Sequence, residues 1–148
     1  MTIDVAAETF RLAETFTISR GSRDAAEVLT VSVREGELAG RGECVPYGRY
    51  GETMESVSAQ IQGLPQEITR QALQDDLPPG AARNAVDCAL WDLEVKTAAT
   101  SIWQRLQLEP RPLTTAYTIS LADPAEMAAE AVTISACPIL KLKLDADD

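Results

Sequence analysis

Residues 113–144 leave the chain little choice of topology. Leu113 to Leu121 reads as a strand. Asp123-Pro124-Ala125-Glu126 then starts a helix. Asp is an N-cap, Pro sits in the first turn where its missing N–H does no harm, and Glu falls three past the cap. The Ala-rich helix is predicted to run to about Ser135, and Pro138 to Leu144 forms a second strand. Strand, helix and strand in so short a span make a βαβ unit, which implies parallel pairing and a right-handed crossover.

The region before it follows another rule. Residues 2–12 and 27–34 carry strand-like residues, and Leu29, Val31 and Val33 alternate with Thr30 and Ser32 as in a half-buried strand. Glu35-Gly36 supplies a turn and Leu38 to Cys44 returns, so a small antiparallel sheet is expected. Two segments read as loops, Ser19-Arg20-Gly21-Ser22-Arg23 and Val45 to Gly51. Both are rich in Gly, Arg or Tyr, which suits a surface that touches a ligand. Helices follow. Met54, Val57, Ile61 and Leu64 share one helical face, and Ile68, Ala72 and Leu73 mark a shorter helix. Pro78-Pro79-Gly80 is a break. Beyond it, Ala82, Ala85, Val86, Ala89 and Leu93 form one stripe and Cys88, Trp91 and Val95 another, so a mostly buried helix is predicted, with Cys88 as an inert small hydrophobe. Ile102, Trp103 and Leu106 suggest one more short helix, with both tryptophans in the core.

Composition narrows the function classes. The 148 residues carry a formal net charge of −10, which disfavours phosphate backbones and hence nucleic-acid partners. The chain has no His, so His-based triads and His metal sites are excluded. Cys44, Cys88 and Cys137 are far apart and without zinc spacing. No signal-peptide pattern opens the chain, and no apolar run reaches the ~18 residues needed to span a bilayer. A soluble cytoplasmic protein that makes no membrane contact is expected.

Lys141 and Lys143 are the residues most suggestive of chemistry. Two apart on a strand, they share one face, with Leu140, Leu142 and Leu144 on the other. Two neighbouring ammonium groups disfavour each other's charged form, and desolvation adds to this. One pKa is therefore expected to fall toward neutrality, where an amine works as a general base. Lysines on an alternating strand are more often a solvated face. Their place late on a parallel strand after a complete preceding region keeps the catalytic reading open beside the solvated one.

Four segments together carry a resemblance: Ile-Ser-Arg-Gly-Ser-Arg (18–23), Gly-Glu-Cys-Val-Pro-Tyr-Gly-Arg-Tyr-Gly-Glu-Thr (42–53), Ala-Arg-Asn-Ala-Val-Asp-Cys-Ala-Leu-Trp-Asp-Leu-Glu-Val-Lys (82–96) and Leu-Lys-Leu-Lys-Leu (140–144). In this order the chain resembles the dipeptide epimerases of the muconate-lactonising subgroup of the enolase superfamily, isomerases of the L-Ala-D/L-Glu type. The resemblance implies an α+β N-terminal capping domain over residues 1–112, an antiparallel sheet plus helices. Residues 113–148 would then be the first βαβ of a truncated, TIM-like β/α barrel. It also implies proton abstraction α to a carboxylate, with an enolate-type intermediate stabilised by Mg²⁺. Carried over, Lys143 is the first acid/base and Lys141 the neighbour that lowers its pKa. Thr118 is a substrate-site threonine, Arg23 meets a substrate carboxylate, and Tyr50 belongs to a substrate-binding loop. A small-molecule dipeptide is the expected partner, with a homo-oligomer as the assembly.

Departures from the pattern bear on activity. The resemblance places the Mg²⁺ ligands and a second lysine on later barrel strands, and the chain stops after the second strand. Asp145, Asp147 and Asp148 are too local to replace those ligands. These 148 residues alone are therefore expected to be inactive and to bind no cofactor, with Mg²⁺ belonging to the complete enzyme. The link from Val132 to Pro138 is also shorter than the family's usual one, and Pro138 is unexpected there. The competing readings are another enzyme of the subgroup (o-succinylbenzoate synthase, N-acylamino acid racemase or muconate cycloisomerase) and a non-catalytic capping module.

Overall fold

The computed structural model describes residues 1–145 and divides into two compact units. The first comprises Met1–Phe10 and Glu27–Pro110, and the second comprises Arg11–Ala26 with the segment from Arg111 onward. Strands β1 (Thr2–Ile18), β2 (Gly21–Glu35) and β3 (Leu38–Cys44) lie in that order in one sheet. The base of the β1–β2 hairpin falls in the first unit and its tip in the second.

In the first unit, β2 and β3 pair antiparallel from Leu29↔Cys44 to Glu35↔Leu38, across a turn in which Gly36 takes φ 58°. Leu29, Val31 and Val33 are buried, as the alternation predicts. Helix α3 (Ala81–Thr97) lies on β3 and turns Ala82, Ala85, Val86, Ala89, Leu90 and Leu93 into the core. Its close approach depends on Gly40 and Gly42. A Cβ at either would collide with the backbone carbonyl of Ala89 or Ala85. Helices α1 (Met54–Gln62) and α2 (Arg70–Asp76) add Val57, Ile61 and Leu73. Thr53 and Ser56 cap α1 reciprocally, and the Thr69 hydroxyl caps α2.

Polar contacts fasten the rim. Glu94 on α3 accepts from Arg70 Nε at 2.8 Å and from Arg105 Nη2 at 2.9 Å, the latter on the short helix α4 (Ile102–Arg105). The Arg70 guanidinium stacks over Trp91, 3.5 Å from its ring centroid. Two expectations fail here. Cys88 is exposed, because α3 commits only one stripe to the sheet, and Trp103 is half exposed on the short helix α4, which buries none of its residues. The second stripe lies at the rim, where an arginine rather than a core covers Trp91.

The second unit contains the βαβ segment. Strand β4 (Ala116–Ile119) pairs parallel with β5 (Ile139–Leu142), and helix α5 (Pro124–Thr133) connects them. The Asp123 carboxylate caps α5 by accepting from the Ala125 N–H at 2.9 Å. The first strand is shorter than the predicted 113–121. Residues 113–115 make no ladder, and Leu113 is 90% exposed. Among the described residues of this unit only Ile119 and Met127 are buried apolar side chains. An α+β sheet-and-helix region followed by a parallel βαβ start is the architecture the sequence predicts. No helix among the described residues is long and apolar enough to cross a membrane.

Candidate functional site

Parallel pairing of β4 with β5 sets Thr118 opposite Lys141 in register. Register partners point to the same face of a sheet, so the threonine and the lysine share one. Lys143 lies one residue past the end of β5, yet its N–H donates to the Ile119 carbonyl at 3.2 Å and continues the ladder. Alternation puts it on the face of Lys141. Lys143 is half-buried and Lys141 exposed, while Leu140, Leu142 and Leu144 are all exposed.

Arg23 is not on a loop. The chain turns over Ser19-Arg20 alone, and Gly21, with φ 130°, begins β2. That φ lies where a side chain would clash, so glycine makes the tight reversal possible. The tip is sewn together across its two strands by Thr17–Ser22 and Thr15–Asp24 side-chain hydrogen bonds and by the Arg23 guanidinium over Phe16, 5.6 Å from the ring centroid. The Leu121 N–H donates to the Thr17 carbonyl at 3.0 Å, and the Thr17 N–H donates to Ser120 Oγ at 3.4 Å. These bonds hold the hairpin tip on the C-terminal end of β4.

Between tip and strand lies a cavity of about 390 Å³, lined by Phe16, Arg23, Tyr117, Thr118, Ser120 and Glu130 among others. It brings Arg23 and Thr118 together. Arg23 makes no ion pair among the described residues, so its fork is open to a carboxylate. The Glu130 carboxylate facing the Tyr117 phenol is the main influence that raises the phenol's pKa and keeps it protonated. Sequence reading missed Phe16, Tyr117, Ser120 and Glu130. Phe16 was findable: with a two-residue turn at 19–20, positions 16 and 23 face each other across the hairpin.

Tyr50 belongs to the first unit. It ends a 3₁₀ turn (Gly48–Tyr50), closed by Gly51 at φ 74°. Tyr50 is 75% exposed and meets Tyr47 edge-on at 6.5 Å between centroids. Both line a cavity of about 540 Å³ with Cys44, Glu52, Gly80 and Asn84. Burial first, then the Glu52 and Glu43 carboxylates, push the Cys44 thiol up to about 11, so it is inert as a nucleophile. Glu52, also unpredicted, anchors this loop. Its Oε1 accepts from the Ala81 N–H at 2.7 Å and its Oε2 from the Tyr47 N–H at 3.4 Å.

The conspicuous Ala-Leu-Trp-Asp motif has a structural task. Burial tends to raise the Asp92 carboxyl, but hydrogen bonds from Lys96 and the Arg41 N–H outweigh it and hold the group below its usual range. Those bonds measure 2.6 and 2.8 Å, and Lys96 also donates to the Ala39 carbonyl at 2.8 Å. Asp92 and Lys96 thus fasten α3 to β3.

Among the described residues no three carboxylates or cysteines converge closely enough to hold an ion, and Asp147 and Asp148 lie outside the described residues.

Residues 1–106 match the mandelate racemase / muconate lactonizing enzyme N-terminal domain. The chain is 42% identical over 151 aligned residues to the L-Ala-D/L-Glu epimerase of Escherichia coli (strain K12), an alignment that covers 97% of this chain and 47% of that protein. Among solved structures, an enolase family member from Agrobacterium tumefaciens with homology to dipeptide epimerases is 50% identical. It holds bound sodium and L-Ala-L-Glu, superposes with a TM-score of 0.90, and the match covers 95% of this chain and 45% of that one. A dipeptide epimerase from Methylococcus capsulatus, complexed with Mg and the dipeptide L-Arg-D-Lys, is 30% identical with a TM-score of 0.82, over 98% and 46% of the respective chains. The chain spans about half the length of the curated relatives it matches.

Proposed function

The chain belongs to the mandelate racemase / muconate lactonizing enzyme family of the enolase superfamily, and on that premise we propose that it forms the N-terminal portion of a dipeptide epimerase of the L-Ala-D/L-Glu type. The observation that carries the reading is the parallel register that puts Thr118 beside Lys141, with Lys143 next on the same face. In the complete enzyme the Lys143 amine takes the proton α to the carboxylate. The electron pair passes into the carboxylate as an enolate, and an acid on the opposite face returns a proton with inverted configuration. Lys141 stands beside Lys143 on the same face and opposite Thr118. Arg23 donates bidentately to the second residue's side-chain carboxylate. Thr118 and Tyr50 contact the substrate. We assign residues 1–112 to the capping domain and 113–148 to the start of the barrel.

Mg²⁺ is the metal of the complete enzyme, and it would stabilise the enolate charge. None of the described residues is assigned to it. The protein works in the cytoplasm as a homo-oligomer, makes no membrane contact and takes a small dipeptide rather than nucleic acid. Other members of the subgroup share the proton abstraction, so substrate choice separates them. A non-catalytic capping module would show no proton abstraction at all.

The experiment is exchange of the substrate α-proton with deuterated solvent, catalysed by the complete enzyme. Lys143→Ala is expected to slow exchange by roughly 10²-fold or more. Exchange near the wild-type rate would reject the assignment.

A further inference from the structure

The base of the Tyr47–Glu52 segment is closed by a backbone bond, Glu52 N–H to the Tyr47 carbonyl at 3.3 Å, and by one side chain that comes from the loop itself. Helix α3 begins without a side-chain cap of its own, because Gly80 stands at the cap position. The leading N–H groups of a helix carry partial positive charge and need acceptors. Glu52 reaches across from a position 29 residues earlier and supplies one, at 2.7 Å from the Ala81 nitrogen. Its other oxygen turns back to the Tyr47 N–H at 3.4 Å. The carboxylate thus joins the loop's first residue to the end of a helix packed in the core, and the backbone bonds Tyr50 N–H to Tyr47 carbonyl (2.9 Å) and Gly51 N–H to Gly48 carbonyl (3.0 Å) close the turn between.

Gly80 is shaped to this arrangement. Its φ of 167° is extended backbone open to any residue, so conformation does not demand glycine. Space does: a Cβ there would stand 2.8 Å from Glu52 Oε1, with no backbone atom nearer than 4.0 Å. Tyr47 and Tyr50, by contrast, stay exposed and unburied by the core. A loop whose aromatic side chains project outward, fixed by a charge-assisted bond at its foot, is preorganised to meet something.

We propose that Glu52 is a positioning residue: by bridging the α3 N-terminus and Tyr47 it fixes the loop that presents Tyr50 to the substrate. This rests on the proposal above that Tyr50 contacts the dipeptide. Without the bridge the loop samples more conformers, and substrate binding must then order it.

The test uses the complete enzyme in three variants. Glu52→Ala removes both acceptors. Glu52→Gln keeps an oxygen but loses the charge. Gly80→Ala changes no loop residue but pushes the carboxylate aside, and because it displaces only the end of a flexible side chain it leaves the fold intact. The expected result is a KM increase of about tenfold for Glu52→Ala and Gly80→Ala, a smaller one for Glu52→Gln, and kcat within about threefold of wild type. Faster amide exchange at Tyr47 and Ala81 should accompany it. Tyr50→Ala is the reference. If it raises KM while the Glu52 and Gly80 variants do not, the positioning role is overturned and the substrate-contact reading stands. If Tyr50→Ala leaves KM unchanged, both fall. A lowered melting temperature with KM unchanged would make Glu52 a structural cap only, which also overturns the proposal.

Discussion

The two units solve opposite problems. In the first, α3 packs on one face of a sheet and α1 and α2 pack against α3, the Gly40 and Gly42 backbone lets α3 approach, and Glu94 and Asp92 satisfy the charges at the rim. In the second, a parallel strand pair and one helix bury Ile119 and Met127 and leave Ile139, Leu140, Leu142 and Leu144 exposed. The residues proposed for chemistry, Thr118, Lys141 and Lys143, stand on the less covered unit. The residues that resemble a signature most loudly, the Ala-Leu-Trp-Asp run, stand on the covered one and serve packing. A sequence motif is therefore a poor guide to where chemistry happens unless its burial and partners are known.

The comparison can be broken most directly with one residue type placed in both units. Leu73 on α2 is fully buried and Leu142 on β5 is 52% exposed. In the 148-residue chain, Leu73→Ala should cost about 3 kcal/mol through lost burial and a residual cavity. Leu142→Ala should cost less than about 0.5 kcal/mol. Urea unfolding followed by far-ultraviolet circular dichroism measures both. The chain's two tryptophans, Trp91 and Trp103, lie in the first unit, so their fluorescence isolates its share of the change. Equal costs would mean that the leucine face of β5 is covered in solution. In a complete barrel the same Leu142→Ala should rise to about 2 kcal/mol.

How far the sequence foretold each unit follows from the physics each one uses. Periodicity located the α3 stripe, the β2 alternation and the capped start of α5, because burial and capping leave marks at fixed spacing. It did not reveal that Ser19 to Arg23 is mostly strand. Gly, Ser and Arg suggest a loop by composition, whereas a positive φ at Gly21 needs only one glycine and lets the hairpin run on both sides. Exposed Cys88 was misplaced because helical spacing alone cannot tell a stripe facing the sheet from one at the rim. The Glu52 bridge left no local trace, since its partner is 29 residues away in sequence. The division of the proposed site residues between two cavities, Arg23 with Thr118 in one and Tyr50 in the other, was not legible.

A smaller effect sharpens the electrostatic half of the contrast. Asp92 has its folded pKa held below the ordinary value of 3.8 by Lys96 and the Arg41 N–H. A depressed carboxyl contributes stability that is complete above its unfolded pKa and disappears as pH falls through the folded one. The stability gap between wild type and Asp92→Asn should therefore be about 1 kcal/mol at neutral pH, modest because the pair is partly exposed. It should hold down to about pH 4 and close below that. Urea midpoints taken from pH 7 down to pH 2.5, followed by tryptophan fluorescence, measure it. A gap that does not vary with pH would mean that the Asp92 hydrogen bonds do not depend on its charge.

The smallest expected effect improves the better-packed unit. Helix α3 ends in a Schellman arrangement: the Thr100 N–H donates to the Val95 carbonyl at 2.9 Å and the Ala99 N–H to the Lys96 carbonyl at 3.1 Å. The residue at the left-handed position is Ala99, with φ 49°, where glycine is usual. Helix α4 repeats the pattern, with Leu108 N–H to the Trp103 carbonyl and Gln107 at φ 55°. A side chain in this region costs about 1 kcal/mol, and glycine returns part of that gain by loosening the unfolded chain. Ala99→Gly should therefore stabilise the first unit by roughly 0.5 kcal/mol, a rise of about 2–4 °C in melting temperature. Ala99→Val, which brings a β-branched side chain to the same φ, should move it the other way by a larger amount. If glycine gives no rise while valine still lowers the temperature, the alanine methyl is contributing packing that offsets its strain, and the first unit is closed more tightly at its helix ends than the bare hydrogen bonds imply.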